Sequence, residues 1–94
     1  MEIIWRQAAL NDLEAIREFI AQDDPQAAAR VRTAIRAAVE RLATYPNLGR
    51  AGRVDGTREL VIPETPYIAA YRVVDDQLRI LSIIHGSRQW PRNF

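Results

Sequence analysis

The apolar positions of this chain follow two periods, first a helical one and then a strand one. EIIW at residues 2–5 is a short apolar run with strand character. In AALNDLEAIREFIAQDD, Leu10, Leu13, Ile16 and Ile20 recur at spacings of three and four, which predicts one buried stripe on a helix whose other face is charged. Asp24 then precedes Pro25, a capping acid followed by the residue whose missing N–H costs nothing at the first helical position. A second helix is expected from there, with Ala28, Val31, Ile35, Ala38 and Leu42 on its apolar stripe and a stop near Tyr45, just ahead of Pro46. The tight Gln-Asp-Asp link predicts an antiparallel helical hairpin, and alanines at 27–29, 34, 37 and 38 let its helices approach closely.

Residues 45–56 read as a loop. TRELVIP (57–63), YIAAYRVV (67–74) and LRILSIIH (78–85) follow as strands, with links short enough for hairpins. Period two puts Tyr67, Ala69, Tyr71 and Val73 on one face of the middle strand and Ile68, Ala70, Arg72 and Val74 on the other. Both faces are apolar, so the helices cover one, and a partner is expected over part of the second. The order predicts a two-layer α+β fold: an N-terminal strand and an antiparallel helical hairpin packed on a three- to four-stranded, mainly antiparallel sheet, with residues 1–94 in a single domain.

Composition narrows the functional classes. With 48% apolar and 27% charged residues the chain is of the globular type, no apolar run reaches the ~20 residues of a membrane span, and MEIIWRQAA lacks the layout of a signal peptide. A cytoplasmic location is expected, without membrane association. Cysteine is absent and His85 is the single histidine, so neither a transition metal nor a cofactor is expected. All 13 basic residues are arginine, which favours bidentate contact with carboxylate or phosphate, yet the net charge of +1 argues against long-range attraction to nucleic acid.

The loop YPNLGRAGRVDGTREL concentrates glycine and arginine. It follows a helix, leads into a strand and has no lysine, so it is not a phosphate-binding P-loop. Arg50 and Arg53 are expected in solvent and, with the C-terminal Trp90, are the residues offered to a binding partner. Arg58 begins a strand, as an ion-pair partner or as a site residue. His85 is the one side chain with an ordinary pKa near neutrality, suited to acid–base work or else to a structural hydrogen bond. If Arg58 and Arg88 converged beside it, the three would form a phosphate-sized cationic pocket, but no acid for a departing 5′-oxygen is visible. The pairs Asp23-Asp24 and Asp75-Asp76 read as caps and hairpin tips.

Taken in order, P-x-x-G-R, G-x-R-E-L, Y-x-x-x-Y-R-V and I-x-H-G-x-R resemble the RelE/ParE superfamily, toxins of bacterial type II toxin–antitoxin modules, over essentially the whole chain. The resemblance implies a growth-inhibiting toxin of an addiction or plasmid-stabilisation module, silenced by a cognate antitoxin that wraps its helices and sheet. RelE-like members cut mRNA on the ribosome, and ParE-like members inhibit DNA gyrase without nuclease chemistry. Arg58 matches the strand arginine that RelE-like toxins place on the scissile phosphate, and Arg88 falls near their second one. Their lysines and C-terminal catalytic tyrosine have no counterpart here, and the His-Gly-Ser-Arg ending is closer to the ParE branch. Gyrase poisoning is the expected action. The alternatives are mRNA cleavage by Arg58, His85 and Arg88, or a non-toxic remnant that only binds antitoxin.

Overall fold

The structure is a computed structural model describing residues 1–94. Its elements are β1 (Glu2–Trp5), α1 (Gln7–Ala21), α2 (Pro25–Arg41), β2 (Arg50–Ala51), β3 (Arg58–Val61), β4 (Tyr67–Val74) and β5 (Gln77–His85). The sheet has the order β1-β5-β4-β3-β2, with β1 parallel to β5 and every other pair antiparallel. The α+β class and the helical hairpin are as the periodicity predicts. The sheet is wider than expected because Arg50–Ala51, inside the stretch read as loop, pairs with Glu59 and Arg58. Two residues are too few to show a period of two, so that strand has no sequence signal.

Helix α2 begins as expected, with Asp24 Oδ1 accepting from the backbone N–H groups of Gln26 and Ala27, both at 3.1 Å, and Pro25 in the first turn. It ends at Arg41, and hydrogen-bonded turns carry the chain to Tyr45. Ala28, Ile35, Ala38 and Leu42 of its stripe are buried and Val31 is partly buried. On α1 the stripe is rotated: Ala9 and Leu13 enter the core, Ile16 and Ile20 lie at its margin, and Leu10 is 36% exposed. The hairpin packs on one face of the sheet, where Leu60, Tyr67, Ala69, Tyr71, Leu78, Ile80 and Ile83 complete the core.

A bulge decides the faces of β5. Ala70 pairs with Ser82 but Tyr71 with Ile80, so Leu81 is an extra residue and the inward parity switches from Leu78 and Ile80 to Ile83. His85 consequently lies opposite Tyr67, their rings edge to face at 5.6 Å. On the other face Ile68 and Ala70 are buried although they lie outside the core cluster. The chain covers part of this face itself, because residues 50–57, with buried Val54, and the C-terminal segment with Trp90 lie on that side.

Candidate functional site

Two buried side chains organise the arginine-rich loop. Glu59, at 2% exposure, accepts from Arg50 Nη2 at 3.0 Å and from the Arg53 backbone N–H at 2.8 Å, and Arg53 Nε lies 3.5 Å from its second oxygen. The Arg53 guanidinium in turn stacks on Trp90, 4.0 Å from the ring centre. Arg50 and Arg53 are exposed, as expected, over about half of their side chains, and the structure adds that both are tied on their inner side to Glu59. A buried carboxylate without partners would be costly, and this pairing removes the cost while fixing the loop on the sheet.

Tyr71 does the same from the other face. Its fully buried hydroxyl accepts from the Gly49 N–H at 2.9 Å and donates to the Pro46 carbonyl at 2.7 Å. A Cβ on Gly49 would lie 2.7 Å from the tyrosine ring, so this position excludes larger residues. Burial pushes the Tyr71 hydroxyl above its ordinary value of 10.0, against the smaller opposing influences of the Gly49 hydrogen bond and Arg58. Arg58 Nη1 donates to the Gly49 carbonyl at 2.8 Å, completing the clamp.

Arg58, His85 and Arg88 are not brought together. Arg58 pairs with Tyr71 and His85 with Tyr67, four residues along β4, which is ~13 Å of strand. His85 Nδ1 accepts from the Ser87 backbone N–H at 3.1 Å and lies 2.8 Å from Ser87 Oγ, so that nitrogen serves the turn after β5. His85 and Arg88 do share a groove of about 800 Å³. One wall is α1, with Ala8, Ala15, Ile16 and Phe19; the other is the C-terminal segment, with Pro91 and Phe94; the second half of β5 forms the floor.

That floor is an unpaired strand edge, since β1 covers only Gln77–Ile80. Asp12 substitutes for a neighbouring strand, accepting from the Ile83 N–H at 3.0 Å and from Ser82 Oγ at 2.6 Å. Phe19, at 66% exposure, stands over the groove. Sequence reasoning missed Asp12, Glu59 and Tyr71. The signal available was one of type alone: an acid on an apolar strand and a tyrosine preceded by two alanines must each find partners if buried.

The model of the ParE toxin of the type II toxin–antitoxin system parDE matches residues 3–90. The chain is 48% identical over 90 residues to "Putative toxin Y4kP" of Sinorhizobium fredii (strain NBRC 101917 / NGR234), covering 96% of this chain and 93% of that protein. It is 37% identical to toxin RelE2 of Caulobacter vibrioides (strain ATCC 19089 / CIP 103742 / CB 15), over 93% and 97% of the two chains. A solved structure described as a chromosomal ParDE TA system from P. aeruginosa superposes with a TM-score of 0.81 at 28% identity, over 90% of this chain and 95% of that one.

Proposed function

Because the chain belongs to the ParE toxin family of type II toxin–antitoxin systems, we propose that it arrests growth by binding DNA gyrase in the cytoplasm, and that a cognate antitoxin silences it from the α1–β5 groove. The observation that carries this reading is the separation of the cationic residues. Arg58 is committed to the Gly49 carbonyl ~13 Å along the sheet from His85, so no base, cation and acid surround one phosphate. Such a molecule acts by binding. The groove supports an antitoxin because it combines apolar walls, the exposed Phe19 and Arg6 and Arg88 as cationic contacts, a surface suited to an amphipathic segment with acidic residues.

The test is a pair of assays on the purified toxin, a supercoiling reaction with gyrase and a translation extract probed for cut message. Loss of supercoiling with intact message is the expected result. Message cleavage that disappears in Arg58→Ala and His85→Ala would overturn the proposal in favour of a ribonuclease. Cells that grow normally when the chain is induced without antitoxin would identify a remnant with no toxic action.

A further inference from the structure

We propose that Arg72 and Arg79, on the sheet face turned away from the helices, form a binding site for carboxylate groups of a protein partner. The two residues stand directly opposite each other on β4 and β5. They point away from the helices because their strand neighbours Tyr71, Leu78 and Ile80 are in the core. Like charges so placed, with Cβ atoms ~5 Å apart, repel and destabilise the sheet unless an anion lies between them.

The chain supplies no such anion. Neither arginine forms an ion pair, whereas Arg50 and Arg53, on the same face, share the buried carboxylate of Glu59. Arg79 is held by Gln77 Oε1, with Nε at 3.3 Å and Nη2 at 3.1 Å, an uncharged contact that orients the guanidinium without neutralising it. Glu2 is on this face as well, but its register partner is Gln77, and Ile4 is the residue beside Arg79. One face therefore carries two arginine pairs, one closed by the fold and one open.

A guanidinium fork fits phosphate and carboxylate equally well, and two features choose the carboxylate. Affinity for a nucleic-acid backbone grows with the number of phosphates neutralised, and this pair, in a chain of net charge +1, offers two contacts. The arginines are also flanked by half-buried apolar side chains, Ile4 on β1 and Val74 on β4, which suits a segment that alternates apolar and acidic residues.

The site is tested by following the arginine Nε–Hε resonances of ¹⁵N-labelled protein while the blocked peptide Ac-Leu-Glu-Leu-Glu-Leu-amide is added at constant ionic strength. The Arg72 and Arg79 signals are expected to move together, that of Arg17, already paired with Glu14, to stay, and Arg72→Gln to weaken binding about fivefold, the worth of a half-exposed ion pair. Without peptide, Arg72→Gln and Arg79→Gln are expected to melt no lower than the parent, because each relieves the repulsion. Peptide that leaves both signals in place at millimolar concentration, or a lower melting point in both variants, would overturn the site. A short DNA duplex that moves the same signals would overturn the assignment to a protein.

Discussion

At the scale of single residues, two buried polar groups, Tyr71 and Glu59, hold the arginine-rich loop on the sheet. Tyr71 holds Gly49 and Pro46 through one hydroxyl, so Tyr71→Phe leaves a donor and an acceptor unpaired and is expected to cost about 1–3 kcal/mol at neutral pH in urea unfolding. The same variant changes the alkaline limb. The hydroxyl titrates above its ordinary value of 10.0 when folded, so its contribution is fully present below that pH and is lost as the pH rises through the folded value. The stability difference between parent and Tyr71→Phe is thus expected to narrow above about pH 10. Glu59→Gln keeps the shape but removes the charge from the contacts with Arg50 and Arg53, and a loss of about 1–3 kcal/mol is expected, checked by the same unfolding curves. Arg58 and Glu59 are adjacent in sequence and serve opposite faces, one bound to Gly49 and the other to Arg50 and Arg53. Pattern alone left Arg58 open between an ion-pair partner and a site residue and gave no role to Glu59, because a strand arginine's partner is set by what the loop brings to it.

At the scale of elements, the C-terminal segment is the least anchored. After the Arg88 N–H bond to the His85 carbonyl it makes no further backbone hydrogen bond, and Trp90 Nε1 is buried without a partner. The stacking of the Arg53 guanidinium on Trp90 is a contact that ties it to the loop. In a Trp5→Phe background, where Trp90 is the one remaining tryptophan, Arg53→Gln is expected to shift its emission to the red, raise its quenching by acrylamide and open the Arg88–Gln89 bond to trypsin. Unchanged emission and cleavage would show that the segment is held some other way. The helices, by contrast, were legible from periodicity and from Asp24-Pro25, since both signals are local. The bulge at Leu81 was not legible, because it depends on which β4 residues the strand must face, and it is what brings His85 against Tyr67.

At the scale of the whole molecule, the surface proposed for the antitoxin is the groove between α1, β5 and the C-terminal segment, whose exposed apolar side chains are not needed for the fold. Phe19→Asp is expected to leave the melting temperature within a degree or two, because the ring is already 66% exposed. The same change is expected to weaken capture of the antitoxin at least tenfold in a pull-down or by calorimetry, since a charge would enter an apolar wall. Equal capture by parent and variant would move the antitoxin to another face. The sequence by itself determined the class of fold, the helical hairpin, the antiparallel meander and the family, because hydrophobic period, capping residues and motif order are local properties carried along the chain. Only the tertiary structure decided that Arg50–Ala51 is a strand, that Glu59 and Tyr71 hold the arginine loop, that Asp12 closes a strand edge and that Arg58 stands apart from His85. Those outcomes depend on register and on which distant groups must satisfy each other once water is excluded.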